Sequence, residues 1–259
     1  MLSMLRSNLY RLVKTRFTGW FVVVYLLFIG ASALSVMIIG TNTGAPSDGM
    51  VRLDITAAEM YGRSLASGAI LPICASIFIA NYLSADFKTM SIKNVLQAKG
   101  GRVSYVVAAA MTILVVCIAF VIIGSVGAEV TFRAFGFSIS GYNANILVPL
   151  ACQVVLVSGA YSSIVALIVF ASGSETLGVV AALLVSSGFL ESMMRMLFSN
   201  IFSGTPVLRD CLDGYLGAQV ELLSWGAVSD AGGFIAAAAT FAIAIAVGVF
   251  VMKRRELAQ

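Results

Sequence analysis

The feature that most constrains this chain is its long stretches without a charged residue. Six such intervals interrupt the sequence, at 17–47, 64–85, 103–128, 134–174, 176–190 and 231–252. A helix that crosses the hydrocarbon core of a bilayer needs roughly 20 mostly apolar residues, and five of the six intervals exceed that length. Only 11% of the residues are charged, whereas a soluble domain carries about 25%. The pattern predicts an all-α polytopic membrane protein.

The six intervals predict six transmembrane helices in a single transmembrane domain over 1–259. The predicted spans are 18–40, 65–83, 103–128, 146–171, 175–195 and 231–252. The fifth span is short, because the uncharged residues 176–190 would cover only about 22 Å as a helix. It must therefore carry Glu175 and Glu191 toward opposite headgroup layers, or turn Glu191 inward. Glu191 and Arg195 lie four residues apart, so on a helix they could pair. Pro72 predicts a kink in the second span, and residues 196–230 form a large outer segment between the last two spans.

Residues 1–17 predict an amphipathic helix ahead of the first span. Its apolar stripe recurs at helical spacing and comprises Leu2, Leu5, Leu9, Leu12 and Val13. Its opposite face carries Ser3, Ser7, Arg11 and Lys14. A basic amphipathic helix of this kind lies flat in the membrane interface. The alternative is a simple extension of the first span out of the membrane.

The basic residues divide unequally between the two sides that six spans would create. The side that holds both termini receives Arg6, Arg11, Lys14, Arg16, Lys88, Lys93, Lys99, Arg102, Lys253, Arg254 and Arg255. The opposite side receives Arg52, Arg63, Arg133, Arg195 and Arg209. The positive-inside rule makes the richer side cytoplasmic, so we expect a protein of the cytoplasmic membrane with both termini in the cytoplasm. The basic residues are scattered over short segments, which disfavours nucleic acid as a partner.

Several chemistries lack the residues that they need. The chain has no histidine, which excludes imidazole-dependent catalytic triads and histidine-ligated metal hydrolases. It has no Cys-x-x-Cys pair and no Gly followed by Lys, so it contains neither a thiolate cluster motif nor an ATP-binding phosphate loop. We therefore predict no catalytic residue, no cofactor and no metal site. Five of the spans also lack a charge near their middle, where ion-coupled transporters commonly keep one.

The segment 85–102, ADFKTMSIKNVLQAKGGR, is a short basic stretch between the second and third spans. A helix that starts near Met90 would have an apolar face of Ile92, Val95 and Leu96. Its polar face would carry Lys93, Asn94 and Gln97, and Gly100 would end it. An isolated helix that short is marginal in water. We therefore expect either lipid or a partner protein to pack against it.

This segment resembles the corresponding region of ABC-2-type ATP-binding-cassette exporters, in their membrane subunits. That region has an acidic residue, an aromatic residue, a Gly-Ser/Thr-Ile-Lys/Arg-Asn-x-Leu run, then Gly and Arg. This sequence supplies them as Asp86, Phe87, Ser91, Ile92, Lys93, Asn94, Leu96, Gly100 and Arg102, with Met90 where Gly is common. The end of the chain is similar to the family's ending at Phe250, Lys253, Arg254, Arg255, Glu256 and Leu257.

The resemblance implies the permease subunit of an exporter that moves a lipid, drug or peptide-like substrate. ATP hydrolysis would occur in a separate subunit, so the chain itself would not be an enzyme. Two copies of that ATPase, a second identical or similar permease and the lipid bilayer would be its partners. The segment 85–102 would be the coupling helix that enters a cleft of the ATPase. Its coupling residues would be Asp86, Phe87, Lys88, Ile92, Lys93, Asn94, Val95, Leu96 and Arg102.

Two other classes of function stay open on the sequence alone. One is a stand-alone ion-coupled transporter or channel, which an intramembrane charge cluster would favour. The other is a non-transporting membrane protein, such as an immunity or sensor subunit. The substrate-binding residues are not identified by any of the three. The small and hydroxyl residues at 158–163, SGAYSS, would either allow close helix packing or line a polar path.

Overall fold

The structure is a computed structural model, and it describes residues 2–42, 54–88, 101–190, 192–193, 196 and 215–254. This part of the chain is mostly helical. The helices are α1 Leu2–Lys14, α2 Arg16–Asn42, α3 Ala57–Leu65, α4 Ile70–Lys88, α5 Gly101–Ala134, α6 Ala144–Ser172, α7 Glu175–Ser186, α8 Leu216–Ser224 and α9 Ala231–Arg254. Two short strands, β1 Asp54–Thr56 and β2 Ser138–Ser140, pair in parallel with Ile55 opposite Ile139.

Five helical stretches of the described residues are long and apolar enough to cross a membrane. They are Phe17–Ile38, Ala57–Lys88, Gly101–Ala134, Ala144–Ser172 and Ala231–Arg254. Helices suit such sequences because each satisfies its backbone hydrogen bonds internally, which a bilayer requires. The prediction of an all-α fold is confirmed, and the spans are those of a multi-pass membrane protein.

The predicted fifth span, at 175–195, is not confirmed, and so neither is the total of six spans. Helix α7 there has 12 residues, which corresponds to a length of about 18 Å. It ends at Ser186, and Gly188 just beyond it has a φ of +73°, a left-handed conformation that terminates helices. The predicted partners Glu191 and Arg195 lie outside the described residues. Helix α7 therefore ends inside the bundle, and beyond this break the described residues 189–190, 192–193 and 196 are helical again.

The second span differs from its prediction in the position of its break. A 3-10 turn at Ser67–Ala69 separates α3 from α4, and Gly68 and Ala69 have φ values of +62° and +54°. The expected kink at Pro72 is therefore not where the helix breaks. Pro72 is the third residue of α4, where a missing N–H costs nothing because the first-turn donors have no intrahelical acceptor.

Helix α6 lies at the centre of the bundle and contacts α4, α5, α7, α8 and α9. Its buried side chains include Val154, Tyr161 and Phe170. Helices α2 and α9 lie at the periphery, since only 17% of the apolar window of each is buried. Their exposed side chains are large and apolar, as lipid contact would require, and include Trp20, Leu27, Ile235 and Ile243.

The charged residues of the described chain collect at the two ends of this bundle. One end, here called the α1 end, is where α1 lies, where α4, α6 and α9 finish and where α5 begins. Arg102 there donates through Nη1 to the carbonyl oxygen of Lys253 at 2.7 Å. At the opposite end, Tyr61 donates to Glu129 Oε2 at 2.8 Å, and Arg133 pairs with the same carboxylate at 2.7 Å. Between these two ends, the described spans carry no charged residue.

Candidate functional site

The α1 end is built around the carboxylate of Asp86, two residues before the end of α4. Its side chain is only 4% exposed, and its Oδ1 lies 2.5 Å from Nη1 of Arg11 on α1. Tyr105 of α5 donates its hydroxyl to Oδ2 at 3.0 Å. A buried carboxylate is tolerated when it is paired and hydrogen-bonded in this way. Asp86 thus joins three helices at one point.

The cation that meets Asp86 is held in place from a second direction. The guanidinium of Arg11 lies 5.4 Å from the centre of the Tyr82 ring, within the range of a cation–π contact. Burial by itself would lower the pKa of Arg11, but the hydrogen bond and negative charge of Asp86 outweigh it and the pKa is raised. Arg11 is therefore charged at any physiological pH.

Helix α1 makes further contacts with the bundle near this ion pair. The Tyr82 hydroxyl donates to the carbonyl oxygen of Asn8 at 3.2 Å. The Asn8 amide donates to Thr112 Oγ1 on α5 at 3.4 Å, and Leu12 is buried in the main hydrophobic core. Helix α1 is thus docked on α4 and α5 through polar contacts as well as an apolar one.

The other charged residues beside segment 89–100 also contact distant helices. Lys88, the last residue of α4, pairs with Glu175, the first residue of α7. Arg102, near the start of α5, donates to the end of α9. The chain therefore leaves α4 and re-enters α5 at the α1 end, and both of these points are tied to other helices.

The predicted coupling residues divide into a described and an undescribed group. Phe87 packs against the hydrophobic core as a partly buried side chain, and Asp86, Lys88 and Arg102 have the partners given above. The residues Ile92, Lys93, Asn94, Val95 and Leu96 lie outside the described part of the chain. Four of the nine predicted residues are thus brought to one end of the bundle, and the amphipathic helix itself stays a prediction.

Sequence reasoning misses the intramolecular partners of Asp86. The sequence pattern places Arg11 on the polar face of a membrane-surface helix, but its side chain turns to α4. The sequence signal for these contacts is the position of Asp86, because an acidic residue next to an apolar span needs a cation or hydroxyl donors as partners. That argument still does not choose among the basic residues at this end, because the pairing depends on tertiary packing.

Three serine hydroxyls meet inside the bundle where α7 ends. Ser186 donates to Ser76 Oγ of α4 at 2.8 Å, and Ser76 Oγ lies 3.4 Å from Ser162 Oγ of α6. All three side chains are fully buried. Helix α7 begins at the α1 end and is about 18 Å long, so the cluster lies deep in the bundle. Ser162, from the stretch 158–163, thus contributes to a contact between helices, which is one of the two roles expected of that stretch.

A second buried polar cluster lies nearer the opposite end and fixes the short helix α8. Gln153 of α6 accepts a hydrogen bond from the backbone N–H of Ser229 at 3.0 Å. Its amide nitrogen contacts the Ser229 hydroxyl and lies 3.4 Å from Gln219 Oε1 of α8. Both glutamines are buried, so these bonds satisfy groups that would otherwise be costly inside the bundle.

A scan of the chain against protein-family models and a search of curated proteins each found no match.

Proposed function

We propose that this chain is the permease subunit of an ABC-2-type exporter and that residues 85–102 are its coupling segment. The observation that carries the proposal is the attachment of both flanks of segment 89–100 to other helices at one end of the bundle. Asp86 contacts Arg11 and Tyr105, Lys88 contacts Glu175, and Arg102 contacts the end of α9. The family resemblance of residues 86–102 supplies the identity of the partner.

The proposed mechanism uses these contacts as the route from the ATPase to the spans. An ATPase that moves segment 89–100 would displace the end of α4 and the start of α5. The Asp86 ion pair would carry that displacement to α1, the Lys88 pair to α7, and the Arg102 hydrogen bond to α9. A contiguous set of packed and hydrogen-bonded groups of this kind is a physical means of coupling two sites.

The complete transporter would contain two ATPase chains and a second permease, identical or similar. The α1 end would face the cytoplasm, because the basic residues of the chain are concentrated there. Access to a path between the two permeases would alternate with ATP binding and hydrolysis. The cargo would be a lipid, a drug or a peptide-like molecule. ATP hydrolysis would belong to the partner and not to this chain.

The proposal is tested by changing the predicted apolar face of the coupling helix. We expect Ile92→Asp combined with Leu96→Asp to leave membrane insertion intact and to abolish copurification of an ATPase. Burying each aliphatic side chain contributes about 1.5–3 kcal/mol, so losing both should weaken the complex by about two to four powers of ten. The measurement is the amount of ATPase, and the rate of ATP hydrolysis, recovered with the affinity-tagged chain.

The matched control is Lys93→Ala in the same segment. An exposed ion pair is worth about 0–1 kcal/mol, so this variant should retain the ATPase and its hydrolysis rate. If the unaltered chain copurifies with an ATPase that the double variant retains equally well, the segment is not the coupling helix. If no ATP hydrolysis accompanies the unaltered chain in its native membrane, the exporter proposal itself is wrong.

A further inference from the structure

The side of α1 that points away from the bundle carries a basic and aromatic stripe. Arg6, Tyr10 and Lys14 follow one another at intervals of four residues, so they lie along one face of the helix, and all three are exposed. The ammonium of Lys14 donates to the Tyr10 hydroxyl at 2.9 Å and lies 5.3 Å from the ring centre. The stripe faces away from Asn8, Arg11 and Leu12, which contact the bundle.

The positive charges of the stripe have no acidic partner within the described residues. The described acids at this end are Asp86 and Glu175, and they pair with Arg11 and Lys88 respectively. The sequence contains no acidic residue before Asp48, so α1 supplies none. An ammonium has three N–H donors, and Tyr10 accepts from one of those of Lys14. Within the described part of the chain, no carboxylate therefore competes with an external anion for Arg6 or Lys14.

The position of the stripe next to α2 indicates which anion it meets. The exposed apolar face of α2 begins three residues after Lys14, with Phe17 at 43% and Trp20 at 73% exposure. Val24 and Leu27 continue that face along the helix. Exposed tryptophan at the start of a span marks the level of the lipid headgroups. A ligand that meets both surfaces must be anionic at one end and apolar along the rest.

We infer that the stripe Arg6–Tyr10–Lys14 binds the headgroup of an anionic phospholipid, whose acyl chains lie on the exposed face of α2. The phosphate and any further acidic group of the headgroup accept hydrogen bonds from the guanidinium and the ammonium. Phosphatidylglycerol has this chemistry, whereas phosphatidylcholine carries a compensating positive charge. Arg11 on the other side of α1 is held by Asp86, so the lipid and the ion pair would fix α1 from opposite sides. The inference does not depend on the proposed exporter function.

The test measures lipid binding to the purified full-length chain, together with any subunits that accompany it. Native mass spectrometry in detergent would compare phosphatidylglycerol with phosphatidylcholine of the same acyl chains. We expect the unaltered protein to prefer phosphatidylglycerol. Arg6→Gln combined with Lys14→Gln should weaken that binding about thirtyfold, because each basic residue near a membrane surface contributes about a fivefold factor. Arg6→Lys combined with Lys14→Arg keeps both charges and should restore most of it.

A control removes the same charge at the same end of the bundle but from another helix. Lys253→Gln combined with Arg254→Gln should reduce phosphatidylglycerol binding less than about threefold, since these residues lie on α9. An equal loss in this control would mean diffuse attraction and would overturn the assignment of a site. Unchanged binding in the Arg6 and Lys14 variant would overturn it as well. Inorganic phosphate that competes at the concentration of the lipid would show that the site takes a free anion rather than a lipid.

Discussion

Among single residues, Asp86 and Arg11 form a pair whose two members are buried to very different degrees. The side chain of Asp86 is 4% exposed, whereas that of Arg11 is 39% exposed. If Arg11 is removed, the carboxylate stays inside the bundle and loses the Arg11 cation, while Tyr105 still donates to its Oδ2. If Asp86 is neutralised, the guanidinium turns partly to water. The two halves of one ion pair should therefore differ in their importance for stability.

We predict that Arg11→Gln destabilises the protein more than Asp86→Asn does. Removing the cation from a buried ion pair costs about 3–5 kcal/mol, whereas losing a hydrogen bond to a charged group costs about 1.5–3 kcal/mol. The double variant should lose less than the sum of the two, because both changes act on one interaction. The measurement is the unfolding midpoint of each variant in the same detergent.

Lys88→Gln is the control for this comparison of single and double variants. The Lys88–Glu175 pair is much more exposed, so it should contribute only about 0–1 kcal/mol to stability. Strict additivity of the Arg11 and Asp86 variants would show that the two side chains do not interact. Equal costs for the two single changes would show instead that the difference in burial has no energetic consequence.

Among the helices, α7 depends on a close approach to its neighbours because it ends inside the bundle. Gly178 permits that approach. A Cβ at this position would lie 2.6 Å from Val169 Cγ2 and 3.1 Å from the Cβ of Ala80. Both neighbours are buried, and valine has little rotamer freedom in a helix. Small residues at helix contacts are the usual means of tight packing in membranes.

Gly178→Ala should therefore lower the unfolding midpoint of the protein in detergent. Overpacking a filled contact costs about 1–3 kcal/mol, which outweighs the roughly 1 kcal/mol that alanine gains over glycine in a helix. Gly30→Ala on α2 is the matched control, because a Cβ there meets nothing within 4 Å, and its midpoint should stay the same or rise. A midpoint that rises equally in both variants would contradict the described contact of α7 with α4 and α6.

The sequence predicts the long helices well because their signal is local. An uncharged run such as 103–128 must be helical wherever lipid surrounds it, and α5 Gly101–Ala134 contains that run entirely. The break at Gly68–Ala69 escapes prediction, because proline is the residue in this stretch that most strongly disfavours a helix. Pro72 lies in the first turn of α4, however, where proline does not interrupt the helix. The cluster that Ser186 forms with Ser76 and Ser162 also escapes prediction, because its members are distant in sequence.

The candidate site is predicted less completely than the helices. The family resemblance predicts Asp86, Lys88 and Arg102 as coupling residues, and all three lie at one end of the bundle. It does not identify their partners Tyr105, Glu175 and the carbonyl group of Lys253. A motif records which residues recur at one position along the chain, whereas these contacts join several helices. No local periodicity encodes such contacts, so only the three-dimensional packing reveals them.

At the scale of the whole molecule, the proposed function requires a particular orientation in the membrane. The α1 end must face the cytoplasm for segment 89–100 to reach an ATPase. Lys93 and Arg255 should then share the cytoplasmic side, and Asp48 and Asp213 should lie on the opposite side. We predict this arrangement for single cysteines placed at each of the four positions. The native cysteines are first replaced by alanine, at Cys74, Cys117, Cys152 and Cys211.

The labelling experiment uses a membrane-impermeant maleimide on intact cells and then on inverted vesicles. Cysteines at 48 and 213 should react in cells, and those at 93 and 255 only in vesicles, because the reagent cannot cross the bilayer. If positions 48 and 213 react from the same side, the chain between them must cross the membrane an even number of times. The experiment therefore also tests the number of spans. Four crossings would come from α4, α5, α6 and the α7 segment with its continuation to residue 213.

Two other labelling patterns would each contradict part of this arrangement. If position 213 reacts from the same side as position 93, the α7 segment does not carry the chain across the membrane before that residue, and the six-span topology is wrong. Labelling of position 93 in intact cells would reverse the orientation. Because an ATPase and its ATP are cytoplasmic, that second result would remove the basis for an ATPase at the α1 end, whatever the number of spans.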